Sequence, residues 1–404
     1  MKLYDRTFQV ALKYGCYLLP IRSAKILNKY DDILQKINTK RKIFLITDDT
    51  LLNLGIVNEL INTLDKNNIS YVIFSSVLPN PTISNIEDAY SIYKKNDCHS
   101  IIALGGGSVL DLAKMVAVKG RTPFRKIKSM KGILRIILPT MPLVAIPTTS
   151  GTGSETTLAA VVTDDFTHEK YAIIDPALTP HYTLLLPELT AGLPRSLTAY
   201  TGLDALTHAI ESYIGRSNTR QTKKDALKAM LLIKNNLVQA CNHRSDLNYR
   251  MNMLTASYLA GKAFTRAFVG SVHSLAHALG GLYNLQHGLL NAILLPIVLE
   301  EYGSSIYNKM AEIYDYLDLG IKTIGKEEKT KAVIAWIEYL NKELNIPNKI
   351  ANIKEKDLDL LAKRAEKETN PLYPVPVIWK KSTFKNILIS VMEKDNDSYI
   401  SVSI

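Results

Sequence analysis

The chain has 404 residues, 47% of them hydrophobic, and a formal net charge of +11, with a mean hydropathy of +0.01; this length supports two domains and a large buried core. No 18-residue apolar run is available to cross a membrane, and the start MKLYDRTFQV lacks the basic-then-apolar pattern of a signal peptide. Cys16, Cys98 and Cys241 form no CxxC and no tight cluster, which excludes a thiolate metal site and a disulfide framework and predicts a reducing, cytoplasmic setting with no membrane partner.

From about residue 40 to 175, short β-branched runs alternate with helical stretches. KIFLIT reads as a strand followed by helix to Asn68; SYVIFSSV as a strand before a helix over Ile83–Lys95; SIIAL as a strand before a helix over Ser108–Val118; PLVAIPTT as a further strand. Ala159–Thr163 and Tyr171–Ile174 read as extended. This alternation predicts a parallel α/β sheet covered on both faces.

Three loops in this half suit a phosphorylated ligand. KIFLITDD ends a strand on Asp48, where a carboxylate can accept hydrogen bonds from a ribose and repel a 2′-phosphate. A turn aspartate explains it as simply. SIIALGGGSVLDLAK sets Gly105, Gly106 and Gly107 between strand and helix, where backbone amides can approach a phosphate at the positive helix end. Ser108 and Asp111 have capping-box spacing. The pattern is neither G-x-G-x-x-G nor a P-loop, and a tight glycine turn is an equal reading. IPTTSGTGSETT offers hydroxyls and amides to an anion or ribose, or simply caps a helix.

Basic residues crowd the segment from Lys114 to Arg135, with Lys119, Arg121, Arg125, Lys126, Lys128 and Lys131 between, and no acid occurs from Leu112 to Ser154. No nucleic-acid motif accompanies them, so the block reads as a solvated loop that attracts an anionic cofactor, not as a nucleic-acid site.

After Pro194 the pattern is almost wholly helical from Ser196 to about Val391, and the apolar run Gly288 to Leu299 reads as a buried helix. The expected units are 1–194, α/β and dinucleotide-binding, and 195–404, helical and metal-binding, with a ligand in the cleft between them.

The helical half holds five of the 8 histidines, and four of them, His208, His273, His277 and His287, fall in a pattern a metal site would need. Asp204 and His208 stand four apart in TGLDALTHAIESY, and His273 and His277 repeat the spacing, so each pair shares a helix face. His287 follows ten residues later. A lone histidine on an apolar helix is usually a core residue, but two such pairs and a fifth group point to a metal site. One carboxylate with imidazoles suits Fe²⁺ or Zn²⁺, not Ca²⁺ or Mg²⁺. Spacing alone does not rank the five.

Several long motifs in order make the chain resemble the iron-containing (group III) alcohol dehydrogenases over roughly residues 5–392: PNPT at 79–82, GGGSVLDLAK at 105–114, AIPTTSGTGSETT at 145–157, LTAYTGLDALTHAIESY at 197–213, HSLAHALGG…HG at 273–288, and ETNPLYP at 368–374. The resemblance implies a Rossmann-like parallel-sheet domain followed by an all-α domain, the dehydroquinate synthase-like architecture. It implies that Asp204, His208, His273 and His287 hold one divalent metal, usually iron, with His277 a non-ligand near the substrate. One turn from His273, His277 is the candidate for relaying a proton to solvent, with a core or supporting role as the alternative. For NAD it implies Asp48 at the adenosine ribose and Gly106, Gly107 and Ser108 at the pyrophosphate. Asn80, Thr148, Thr149, Thr157 and Lys170 match further contacts, and Leu189, Gly192 and Leu193 match the nicotinamide region.

The activity so implied is hydride transfer between nicotinamide and a short-chain primary alcohol or aldehyde, in a homodimer or larger oligomer. A zinc-dependent glycerol or polyol dehydrogenase is the alternative within the fold. A metal-dependent hydrolase is the alternative outside it, disfavoured by the absence of a paired-carboxylate pattern. Three departures from the family bear on substrate preference. Leu186 stands where an aspartate is frequent, Gln286 replaces a common proline before the last ligand and puts the local backbone in question, and the block 119–135 is unusually basic.

Overall fold

A computed structural model describes residues 2–18, 21–167 and 169–393; residues 394–404 of the expected helical unit lie outside it. In chain order the first half contains α1 (Lys2–Leu18), β1 (Lys25–Leu27), α2 (Tyr30–Leu34), β2 (Ile43–Ile46), α3 (Asp49–Asn53), α4 (Asn58–Lys66), β3 (Tyr71–Phe74), α5 (Ile83–Lys95), β4 (Ser100–Gly105), α6 (Gly107–Arg121), β5 (Gly132–Ile133), β6 (Leu143–Pro147), β7 (Ala159–Thr163), β8 (Lys170–Ile174), β9 (Tyr182–Leu184) and α7 (Glu188–Ala191). Six strands form an all-parallel sheet in the order β1-β9-β6-β4-β2-β3.

The central strands are buried on both faces, which is why their sequences are continuously apolar. In β2, Phe44 and Ile46 face one helical layer with Ile86, Leu112 and Val116, while Ile43 and Leu45 face the other with Ile33, Leu60 and Leu64. Two edge-side strands escaped the sequence reading. β1 and β9 are three residues each and pair with one another, Ile26 opposite Thr183, so their conformation comes from pairing and not from any local pattern. The extended segments 159–163 and 170–174 pair antiparallel in a separate small sheet, β5-β8-β7.

The basic block is less solvated than expected. Lys114 and Lys119 are buried in α6, Lys119 Nζ lies 3.0 Å from Glu87, and Lys128 and Lys131 pair with Asp164 and Glu169. These acids lie far off in sequence, so a local charge count overstates the free charge.

The second half is helical: α8 (Arg195–Ile214), α9 (Arg220–Asn242), α10 (Leu247–Ala267), α11 (Ser271–Tyr283), α12 (His287–Tyr302), α13 (Tyr307–Leu317), α14 (Lys326–Glu343), α15 (Leu358–Thr369) and α16 (Lys381–Val391). α8 is buried on nearly every side and forms the axis on which α9, α10 and α12 pack. Contrary to the expectation that no stretch could cross a membrane, residues 287–317 pass by length and composition, but 61% of the 18-residue apolar window within them is buried inside the protein, as in a core helix. Pro296 inside α12 leaves the Ala292 carbonyl without its helical donor, and Asn341 Nδ2 supplies the bond at 2.7 Å. α1 crosses to this half: Arg6 donates to the carbonyls of Val375 and Pro376, and Gln9 to that of Tyr373.

Candidate metal and dinucleotide site

α8 carries Asp204 and His208 one turn apart, α11 carries His273, and His287 opens α12. α12 can reach α8 because residue 288 is glycine; a Cβ there would stand 2.3 Å from the Tyr200 carbonyl oxygen. Gln286, in place of the common proline, has φ −66°, the value a proline ring imposes. The departure therefore leaves the backbone before His287 in the same conformation.

Asp204 Oδ1 lies 3.9 Å from His208 Nδ1, 3.7 Å from His273 Nε2 and 3.5 Å from His287 Nε2. Asp204, His208 and His273 are all buried. Donor atoms bonded about 2.1 Å from one ion stand about 3.4 Å apart at tetrahedral angles, close to these spacings. A single amide, Asn291 Nδ2, faces three of these atoms with only two protons, at 2.7 Å from Asp204 Oδ1, 3.2 Å from His273 Nε2 and 3.1 Å from His287 Nε2. Among the described residues, His208 Nδ1 has no hydrogen-bond partner. A buried carboxylate ringed by surplus lone pairs fits a divalent cation, and the N/O donor set fits iron or zinc.

Electrostatics agree. Burial pushes His208 down to about 3 and His287 well below the ordinary histidine value, so both imidazoles are neutral and free to bind metal. Burial disfavours charge on Asp204 too, but the three imidazoles hold its carboxyl below the usual range. Burial also opposes charge on His273, yet its bonds to Asp204 and Glu211 hold it up to about 9. A metal at Nε2 would displace that proton.

Glu211 was not visible as functional in the sequence. Its Oε2 lies 2.6 Å from His273 Nδ1, and its carboxylate also accepts from the amides of Gly270 and Val272. A carboxylate on the far nitrogen fixes the tautomer and aims Nε2 at the ion. Glu211→Gln is expected to weaken metal retention roughly tenfold to a hundredfold, read as iron content after dialysis against a chelator. Retention equal to wild type would remove Glu211 from the metal's support.

The glycine cradle sits at the C-terminal end of β4, where successive strands are added on opposite sides of β2, the usual ligand crevice of an open sheet. The capping box does not form. Gly106 is the N-cap and has no side chain to offer. Asp111 instead accepts from Ser154 Oγ at 2.6 Å and the Val161 amide at 3.0 Å, and Ser108 Oγ accepts from the Asn80 amide at 3.2 Å. The first-turn amides of α6 are thus left uncovered by side chains, as a pyrophosphate requires. A larger residue at Gly107 requires Thr152 to shift, since a Cβ would meet Thr152 Cγ2 at 2.8 Å.

One cavity of about 340 Å³ is lined by Asn80, Gly107, Ser108, Thr149, Thr157 and Lys170 on the sheet side and by Asp204, His208, His273, His277 and His287 on the helical side. Gly106 adjoins it as the helix cap. Thr148 is buried behind it, its amide on Gly105 O at 3.1 Å. Asp48 lies outside this cavity at the end of β2, capping α3 through the Leu51 amide at 2.9 Å. Leu189, Gly192 and Leu193 also lie outside it, around α7; Leu186 and Leu189 pack on the sheet core, and the Gly192 carbonyl accepts from Arg244.

Lys114, counted at sequence level with the basic block, donates to Thr157 Oγ1 at 2.9 Å and to Ala159 O at 2.7 Å. It ties the GTGSETT loop to α6. Burial lowers Lys170 to about 8, leaving a poorly solvated ammonium in the cavity wall. His277 Nδ1 lies 2.6 Å from Glu368 Oε1, which also accepts from Tyr373 Oη at 2.7 Å.

An amide cradle on a parallel sheet, facing a buried Asp and three His across one cavity, is the arrangement of a metal-dependent oxidoreductase that binds a dinucleotide. Residues 21–187 match the family described as iron-containing alcohol dehydrogenase, and residues 198–392 match its C-terminal part. The chain belongs to the iron-containing alcohol dehydrogenase family, and it is an oxidoreductase of alcohols and aldehydes. Alcohol dehydrogenase 4 of Schizosaccharomyces pombe is 36% identical over 346 residues, covering 84% of this chain and 81% of its own. The NAD-dependent methanol dehydrogenase of Bacillus methanolicus is 34% identical, with 80% and 86% covered. The crystal structure of a 1,3-propanediol oxidoreductase superposes with a TM-score of 0.86 at 31% identity, over 92% of this chain and 98% of that one.

Proposed function

We propose that this chain is an NAD(H)-linked, metal-dependent alcohol dehydrogenase and aldehyde reductase of short-chain primary substrates. The observation that carries the reading is the single cavity that joins the glycine cradle to Asp204, His208, His273 and His287. These four would hold the metal, with Fe²⁺ favoured by family membership and Zn²⁺ compatible with the same donors. When bound, the metal supplies Lewis acidity at the substrate oxygen and the nicotinamide accepts or supplies hydride.

The chain's own residues do the rest. Gly106, Gly107 and Ser108 bind the pyrophosphate, while Asn80, Thr148, Thr149, Thr157 and Lys170 orient the cofactor over the metal group. Asp48 faces the adenosine ribose, where its charge disfavours a 2′-phosphate. Leu189, Gly192 and Leu193, around α7 and outside that cavity, are assigned to the nicotinamide side by the family resemblance alone. His277 moves the alcohol proton: Glu368 holds its Nδ1, and that carboxylate is partly exposed, which gives the proton a route to water. The division at 194/195 places the cradle on one unit and the metal on the other. A cytoplasmic homodimer or larger oligomer completes the reading.

The cavity wall near the metal group includes Phe264, Phe268 and Val269. An alkyl tail fits that wall better than the hydroxyls of a polyol. An aldehyde panel on protein reconstituted with Fe²⁺ tests the reading. Short primary aldehydes should be reduced with NADH well ahead of NADPH, and stripping the metal should abolish turnover. Undiminished activity in the stripped protein, or glycerol as the best substrate, would overturn it.

A further inference from the structure

Phe268 ends α10 with φ +64° and ψ 173°. That region of backbone space belongs almost entirely to glycine, and a bulky side chain persists there only when the surrounding structure demands it. A glycine would adopt the same turn without steric cost. The position therefore holds an aromatic ring against the preference of the backbone, and the ring is 95% withdrawn from solvent, at 5% relative exposure.

The ring's location gives the reason. One side of it lines the cavity of about 340 Å³ that also contains the metal group. The other lines a separate chamber of about 50 Å³. Phe268, Leu158 and Ile174 belong to both walls. Every described residue around the chamber is apolar or glycine, including Leu12 of α1, Ile21 and Pro176, so these walls offer an alkyl chain no polar side chain. One turn before Phe268, Phe264 stacks on His208 with ring centres 4.2 Å apart and planes 14° apart. The end of α10 thus runs from a metal-binding imidazole to the partition.

We infer that Phe268 is the specificity-determining residue of this enzyme: its ring closes the apolar chamber off from the substrate cavity and sets the longest straight alkyl tail the site accepts. The inference rests on the functional reading above, in which the substrate oxygen docks at Asp204, His208, His273 and His287. With the oxygen fixed there, the tail points along the wall formed by Phe264, Phe268 and Val269. Removing the ring joins the two cavities and opens an apolar extension to it.

The test compares kcat/KM for NADH-dependent reduction of unbranched aldehydes from propanal to octanal in wild type, Phe268→Gly and Phe268→Leu, all Fe²⁺-loaded. Phe268→Gly can keep the turn. Phe268→Leu retains a side chain at the same backbone angles, so it remains informative should the glycine variant misfold. The octanal-to-propanal ratio should rise roughly tenfold or more in Phe268→Gly, given that one added methylene in an apolar pocket already changes discrimination by about that factor. Most of the change should fall in KM for the long aldehyde, with KM for NADH unchanged and an intermediate shift for Phe268→Leu. A uniform loss across the series, or an unchanged ratio in a folded variant, would show that the ring is structural only and overturn the inference while leaving the functional reading intact. Wild-type protein that reduces no aldehyde with NADH would instead overturn that reading, and this inference with it.

Discussion

Asp204→Ala and His273→Ala proteins are expected to purify with little bound iron and to lose NADH-dependent aldehyde reduction by roughly a thousandfold or more, since several kcal/mol of Lewis-acid stabilisation disappears at about 1.4 kcal/mol per decade of rate. Asp204 is the hub of the group: each of the three imidazoles approaches its Oδ1 within 3.9 Å. Its loss removes the one anionic donor. His273 is held by Glu211 and therefore presents the best-oriented nitrogen. Metal analysis and steady-state rates on the same preparations decide the matter. Either variant with wild-type iron content and turnover would remove the proposed ligand set.

Gly107→Val is expected to leave the metal in place while weakening NADH binding by roughly a hundredfold or more, because two charge-assisted amide bonds to the pyrophosphate, about 1.5–3 kcal/mol each, are put out of reach. Even a single Cβ at 107 stands 2.8 Å from Thr152 Cγ2, so the larger side chain must push the GTGSETT loop away from α6 or project into the cradle. Both moves cover the first-turn amides that Gly106, with no side chain, leaves open. Fluorescence titration with NADH measures the effect, and the thermal unfolding midpoint separates it from misfolding. Wild-type NADH affinity in a folded Gly107→Val protein would place the pyrophosphate elsewhere.

The parts of the fold legible in the sequence are those with a strong local pattern. β2, β4 and β6 are buried on both faces and therefore read as unbroken apolar runs, while α12 reads as a buried helix because it is apolar almost all round. Local reading failed where residues answer to distant partners. Ser108 and Asp111 have the spacing of a capping box, but they are engaged by Asn80 and by Ser154 and Val161. Lys119 and Lys128 look like free charges until Glu87 and Asp164 fold against them.

For the site, chain order alone determined a great deal. The i,i+4 pairs of Asp204 with His208 and of His273 with His277 follow from helical geometry, and the motifs around them carried the family and the dinucleotide reading. Helical spacing cannot say which imidazole receives a carboxylate on its far nitrogen. Only the tertiary structure gave Glu211 to His273 across 62 positions and Glu368 to His277 across 91, and only it set Asn291 among three acceptors. Phe268 shows the same division. Its identity is plain in the sequence, but its positive φ and its place between two cavities arise from packing between elements far apart in the chain. Covalent neighbours set periodicity and chemistry within reach of one helix turn; burial, orientation and the shape of a cavity come from contacts that exist once the chain has closed on itself.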